Sequence, residues 1–343
     1  MECLDIMMPL IDVPNCPIDG ADGPVKYVDV CDAFFGTQGR WTYRQHPKTG
    51  HLWLARRPAD QFIGALYTNY YTHEVTAQDP VPGIWQQAIA FLLSVKLGYP
   101  LPQNTSTAAK LLSMLPSLSD AAELEVMRIH AGEKGRLLDV GCGSGNFLKR
   151  MYTAGWEVVG TEPDKQATVS LASKDGFQIY NSLEELIQGE KQGFDIIVLS
   201  HVIEHVIDPI NTLVELRRLL RGGGRLLLTT PNALSLGSRI FSSFWRGLEP
   251  PRHFNIFSPE SLSHALKRAG LMSVKINTEV RLARGIWYLS YLSYSGKREL
   301  EITDRVGHFP LKLVGYLFQL LEAVTKMQWK FIGEEIFCIA KVP

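Results

Sequence analysis

Three stretches of the sequence predict a doubly wound α/β fold. Leu137 to Phe147 read LLDVGCGSGNF, an apolar run ending at Asp139 that turns through Gly141, Gly143 and Gly145 into a helical pattern holding Leu148 and Met151. That order suits a buried parallel strand feeding a helix through a turn too tight for side chains. A second strand, Trp156 to Thr161, ends in Glu162, and the following Pro163 and Asp164 read as a helix entry. A third, Phe194 to Leu199, delivers Ser200, His201, Glu204 and His205 to the crevice where open α/β sheets bind ligands.

Glycine spacing narrows the ligand. A dinucleotide site needs G-x-G-x-x-G, and the third glycine would fall where Asn146 stands. Here the glycines run G-x-G-x-G, with an acid two residues before the first. The segment closely resembles the S-adenosylmethionine-binding turn of class I methyltransferases. The resemblance implies that the backbone of Gly141, Cys142, Gly143 and Gly145 approaches the amino acid end of that cofactor, with Asp139 beside its ammonium. Glu162 lies seventeen residues after Gly145, placed to accept hydrogen bonds from both ribose hydroxyls. A nicotinamide cofactor would use the same acid, so Glu162 alone does not decide. Pro163, Ser200 and His201 complete the expected cofactor contacts.

Gly193 to Pro209 (GFDIIVLSHVIEHVIDP) is followed by RRLLRGGGRLLLTTPN, a helix ending at Gly222 and a strand from Arg225 to Thr230. The order of these pieces resembles the subgroup of ubiquinone-type O-methyltransferases and enzymes of sugar and polysaccharide modification, strongly from Gly135 to Val274 and at the tail. It implies a seven-stranded Rossmann-like sheet in which Leu271 to Val280 and Glu334 to Lys341 are the last two strands, the final one antiparallel. The chain then divides into residues 1–71, a degenerate ribbon-like segment; 72–130, a helical cap; 131–280, the cofactor-binding core; 281–333, a helical insertion; and 334–343, the final core strand.

In the first segment, Cys16-Pro17-Ile18-Asp19-Gly20 and His46-Pro47-Lys48-Thr49-Gly50 resemble the paired C-x-x-C knuckles of a small zinc ribbon. Only Cys16 keeps its thiol; Asp19, His46 and Thr49 occupy the other ligand places, and Cys3 or Cys31 would have to stand in. The expectation is a ribbon without metal that folds by packing Trp41, Trp53 and Phe62. Helices are expected over Trp85 to Leu97, Ala108 to Leu115 and Ala121 to His130, and in relatives such helices and the tyrosines before them, here Tyr67, Tyr70 and Tyr71, cover the cofactor cleft.

Composition agrees with a soluble enzyme, and the resemblance implies a small-molecule or glycan acceptor. Thirty-five basic residues balance thirty-five acidic ones, which gives no overall attraction to nucleic acid. MECLDIMMPLID carries early acids and no basic flank, unlike a secretory signal, and five scattered cysteines make no disulfide framework, so a cytoplasmic setting is expected. Methyl transfer to a hydroxyl needs a base for the acceptor proton, and histidine titrates near working pH. His201, at a strand tip, and His253 are the candidates; Pro250 to Phe257 resembles the P-x-H-x-x-x-F-S segment this subgroup places over the active site, just before the helix that starts at Ser258-Pro259 and ends at Gly270.

A saccharide or saccharide-linked hydroxyl is the acceptor expected from the resemblance, with a quinone-precursor phenol as the alternative. Glu204 and His205 by themselves do not make a metal site. A non-catalytic scaffold and a nicotinamide oxidoreductase are readings of other classes; the glycine spacing with Asp139 and Glu162 argues against the first, and the missing third glycine against the second. In the insertion, Leu311, Val314, Leu317, Phe318, Leu321 and Val324 form one helical stripe, with Lys312, Gln319, Glu322 and Lys326 away from it. Three roles stay open for this stretch: a core helix or dimer face, an apolar wall for a bulky acceptor, and a contact of residues 285–327 with a membrane surface, near the basic Lys297, Arg298 and Arg305.

Overall fold

The computed structural model describes residues 8–67, 83–101, 104–165, 167–169, 171, 176–296 and 309–343. An N-terminal part holds β1 (Leu10–Asp12), β2 (Val25–Val30), β3 (Trp41–Gln45), β4 (Leu52–Leu54) and β5 (Arg56–Pro58). Helices α1 (Gly83–Leu97), α2 (Thr107–Leu112) and α3 (Pro116–Leu124) follow. The core then alternates β6 (Arg136–Val140), α4 (Asn146–Thr153), β7 (Glu157–Thr161), β8 (Gln178–Tyr180), α5 (Leu183–Gly189), β9 (Phe194–Ser200), α6 (Pro209–Leu219) and β10 (Leu220–Pro231). Last come α7 (Leu236–Phe241), β11 (Asn255–Ile256), α8 (Pro259–Arg268), β12 (Met272–Glu279), α9 (Ala283–Tyr294), α10 (Phe309–Gln328) and β13 (Glu335–Lys341).

Seven strands form the main sheet in the order β12-β13-β10-β9-β6-β7-β8, and β13 runs antiparallel to both its neighbours. This is the expected doubly wound sheet with its antiparallel last strand. The edge strand β8 escapes the hydrophobic pattern because it has only three residues, none of them fully buried. Central strands read as continuous apolar runs because helices cover both faces. Leu137, Leu138, Ile196, Ile197, Leu227 and Leu228 are 0–2% exposed, each burial contributing about 1.5–3 kcal/mol. α6 stops at Leu219, short of the expected Gly222, because the glycine run already belongs to β10, whose register against β9 shifts between Leu220 and Arg225.

The third cap helix departs further. It spans Pro116–Leu124 instead of reaching His130, with proline at its start and two successive left-handed residues, Met127 (φ 48°) and Arg128 (φ 57°), after its end. Arg128 supplies a reason: its guanidinium bonds Glu123 and Glu279 and lies 4.8 Å from the Phe337 ring, contacts that a straight helix would not bring together.

β11 is hydrogen-bonded to β4, so the N-terminal sheet, ordered β11-β4-β3-β2, includes a strand from two hundred residues further on. Trp41 and Trp53 are buried as expected, while Phe62 is half-buried and the fully buried Tyr43 takes a larger part. The two knuckles turn alike: Gly20 (φ 78°) and Gly50 (φ 74°) donate their amides back to the carbonyls of Cys16 and His46. Between them His46 Nε2 meets Asp19 Oδ2 at 3.1 Å, and His46 Nδ1 accepts the amides of Lys48 and Thr49. Both ring nitrogens are thus engaged by protein groups. Cys16 bonds Asp19, and burial pushes its thiol up to about 11, which opposes the thiolate that zinc requires. Cys31 is disulfide-bonded and offers no free thiol; Cys3 lies outside the described residues, as do Tyr70, Tyr71, Lys297, Arg298 and Arg305.

α10 turns most of its apolar stripe outward. Phe318 (6% exposed) and Glu322 (0%) point inward, while Val314, Leu317, Leu321 and Val324 are 39–57% exposed. Inward polar groups are held individually: Glu322 Oε1 accepts the Glu334 amide at 2.8 Å, and Gln319 Nε2 donates to the carbonyls of Val280 and Arg281. Among the described residues no helix is long and apolar enough to cross a membrane.

Arg252, 0% exposed, joins the N-terminal part to the loop before β11. Its Nη2 lies 2.8 Å from Asp32 Oδ2, its Nε 3.1 Å from Glu249 Oε1, and the guanidinium sits 4.2 Å from the Phe35 ring centroid. Removing one member of such a cluster leaves buried charge uncompensated. Arg252→Ala is expected to lower unfolding stability in urea by about 3–5 kcal/mol; a loss below about 1 kcal/mol would show that the cluster contributes no more than a surface pair.

Candidate active site

β6 ends at the glycine turn. Gly141, Gly143 and Gly145 all hold left-handed φ, at 70°, 51° and 72°, which side chains resist. A Cβ at Gly145 would also lie 2.3 Å from Leu171 Cδ2, so this position serves the packing of the turn. Opposite, at the tip of β7, Glu162 is 6% exposed; its Oε2 accepts the Gly143 amide at 2.8 Å and its Oε1 the Asp164 amide at 3.0 Å. Glu162 therefore fixes the glycine turn to the neighbouring strand, a task beyond ligand recognition.

A cavity of about 310 Å³ opens over this turn. Of the residues expected to contact a cofactor, Asp139, Gly141, Cys142, Gly143 and Ser200 line it, while Gly145, Glu162, Pro163 and His201 do not. Its far wall is Leu124, Glu125 and Met127 from the end of α3 and the turn beyond, which places the cap over the cavity. These wall residues were missed because the turn depends on the left-handed pair at Met127 and Arg128, which no local pattern announces.

Asp139 dominates the electrostatics. It is 4% exposed and makes no hydrogen bond or ion pair within the described residues; burial, reinforced by Glu162, pushes its carboxyl up to about 8. A cationic group bound beside it would restore its charge. Backbone amides beside a buried acid that has no partner among the described residues fit the zwitterionic end of such a cofactor.

The strand tip after β9 holds His201 at φ 56°, an uncommon conformation for a non-glycine residue. Its Nδ1 lies 3.2 Å from Glu204 Oε1 and its Nε2 2.8 Å from Glu335 Oε1, while Glu335 is also gripped by Arg281 at 2.6 and 2.7 Å. Burial disfavours the charged ring, but the two carboxylates outweigh it and raise His201 to about 10. Both ring nitrogens face carboxylates and are placed to donate, so His201 ties the β9 tip to Glu204 and Glu335. Glu204 stands three residues on, but Glu335 lies 134 residues away, hinted at only by the acid pair Glu334-Glu335 opening a largely apolar strand.

His253 behaves in the opposite way. Its Nδ1 lies 2.8 Å from the Gly247 carbonyl and so carries the proton, leaving the Nε2 lone pair directed away, 3.8 Å from Glu249 Oε2. Burial lowers this ring to about 4, so it is neutral at pH 7. The loop is held from the N-terminal sheet: the Tyr43 hydroxyl reaches the carbonyls of Leu248 (2.7 Å) and His253 (3.0 Å). His205 packs edge-on against His253 at 4.7 Å, and its Nδ1 lies 3.1 Å from the Tyr67 hydroxyl. Of the three cap tyrosines expected at the cleft, Tyr67 alone falls within the described residues.

Among the described residues, Glu204, His205 and His253 place one ligand atom each within 4.8 Å of one another. They do not fit a divalent ion: Glu204 spends Oε1 on His201 and Oε2 on the Thr230 hydroxyl, and a hard cation needs those oxygens free.

Residues 117–276 match a family model described as a methyltransferase domain. A ubiquinone biosynthesis O-methyltransferase from Cereibacter sphaeroides is 32% identical over 147 residues, covering 40% of this chain and 60% of the relative. The mitochondrial ubiquinone biosynthesis O-methyltransferase of Homo sapiens is 28% identical over 202 residues, 52% of this chain and 54% of that one. The chain thus spans little more than half the length of these curated relatives. A solved SAM-dependent methyltransferase from Archaeoglobus fulgidus aligns over 65% of this chain and 93% of its own at 24% identity, with a TM-score of 0.41. The matched residues include the strands that build the glycine turn, so residues 117–276 are those of a methyltransferase domain.

Proposed function

We propose that this chain transfers a methyl group from S-adenosylmethionine to a hydroxyl oxygen of a small acceptor, with His253 taking the acceptor proton. The observation that carries the reading is Asp139, a buried acid at the mouth of the glycine turn with no cationic partner among the described residues. Bound there, the cofactor would supply an electrophilic methyl on a positively charged sulfur. Asp139 and the amides of the glycine turn hold its amino acid end, and alignment of the reacting atoms contributes on the order of 7–11 kcal/mol. In this reading residues 131–280 and 334–343 are the cofactor-binding core, 72–130 its cover and 281–333 an inserted surface, in a cytoplasmic protein.

The Nε2 of His253 accepts the proton as the new bond forms, a contribution of roughly 10²–10⁴-fold. Glu249, held below the usual carboxylate range by Arg246, His253 and Arg252 against the opposing effect of burial, then faces the imidazolium. A ring lowered to about 4 is a weak base, better matched to an acidic phenol than to a sugar alcohol. That match, together with the names of the two O-methyltransferase relatives, favours a phenol-type acceptor over the saccharide expected from the sequence. Incubation with labelled methyl donor and separate panels of phenols and saccharides distinguishes the two by the labelled product.

His253→Ala is expected to lower turnover by about 10²-fold or more with cofactor affinity unchanged in calorimetry; full turnover would remove His253 from the mechanism. Asp139→Asn is expected to weaken S-adenosylmethionine binding at least about tenfold, or 1.4 kcal/mol, and unchanged affinity would remove the reading itself. The same substitution tests the acid's titration. A carboxyl raised to about 8 in the fold contributes stability below its unfolded value near 4 and loses it as pH rises through about 8. Asp139→Asn without ligand should therefore melt about 3 °C or more above the parent at pH 8 and show no such gain at pH 4, where both are neutral.

A further inference from the structure

We infer that α10 is the contact between two copies of this chain. Leu313, Leu317, Leu320, Val324 and Met327 follow one another at four, three, four and three residues and are 52–86% exposed, the spacing of a helix seam that packs against another helix. Tyr316 and Leu321 widen the face, and Trp329 and Phe331 extend it beyond the helix end, at 43–61% exposure. These side chains expose on the order of 800 Å² of apolar surface, the area each partner gives to a stable interface and more than the roughly 300–600 Å² of the largest patch on a typical monomer.

Polar groups on the helix say what covers the face. A helix lying on lipid directs its basic residues outward to the headgroups. Here Lys326 is turned back to Glu279 (3.3 Å) and Asp120 (3.9 Å), and Glu322 and Gln319 are spent on the core. Between Leu313 and Val324 the exposed positions carry no charge at all, so two copies of the face meet without like-charge repulsion or desolvated ions. Gly315 keeps the other side close, with Arg284 Cγ only 3.0 Å from where a Cβ would stand; the helix is thus fixed to its own protomer while presenting leucines outward. Leu320, at the middle of the seam, lies nearest the two-fold axis and faces its own copy.

Sedimentation of the full chain, with and without the paired substitution Leu317→Glu and Leu320→Glu, tests the contact. Expected is a particle of twice 38.5 kDa that becomes a monomer in the variant with its melting temperature and circular dichroism retained, and a Leu320→Cys variant that cross-links to itself on oxidation. A monomeric parent at about 50 μM, or a dimer unaffected by the two glutamates, overturns it. So does a monomeric parent that floats with phosphatidylcholine–phosphatidylglycerol vesicles, which would give the face to lipid. None of these readouts involves the acceptor or the methyl donor, so they stand apart from the catalytic reading.

Discussion

The buried guanidinium of Arg252 is the constraint on which the rest of the site depends. It draws Asp32 from the N-terminal part and Glu249 from the loop before β11 into one buried cluster, and a charge so buried tolerates little displacement. The Tyr43 hydroxyl and the β4–β11 pairing then fix the same loop from the same side. His253 owes its single tautomer and its neutral state to that enclosure. The N-terminal sheet therefore holds the loop that carries His253 and is no separate appendage.

Two histidines a few strands apart show how one residue type is divided between roles. His253 is buried and His201 half-buried, and burial opposes the charged form of each. His201 has carboxylates on both nitrogens and becomes a fixed cation that ties β9 to β13; His253 has a carbonyl on one nitrogen and keeps a usable lone pair on the other. The surroundings, not the chemistry of the ring, set the two apart.

Strand tips, the glycine turn and the class of ligand were legible in the sequence because each is a local matter: backbone that needs φ above zero, an acid at a fixed distance, an apolar run of core length. Gly141, Gly143 and Asp139 fall where their spacing puts them. Features that rest on distant partners were not legible. Glu335 reaches His201 across 134 residues, the end of α3 is set by an arginine answering Glu279 and Phe337, and the direction α10 faces is decided by Glu322 accepting an amide from the start of β13. An amphipathic pattern says that a helix has two sides; it does not say which side the core will take when a buried acid finds a donor there.

The strand order within the N-terminal sheet bears on how the chain is made. β4 leaves the ribosome some two hundred residues before β11, its partner on that edge. At elongation rates of about 5–20 residues per second, Leu52–Leu54 waits on the order of 10–40 s with its edge unpaired. During that interval the half-built sheet is open to strand addition by other nascent chains. Closure comes late, when the loop bearing His253 docks, so that loop is set in the same event that seals the edge.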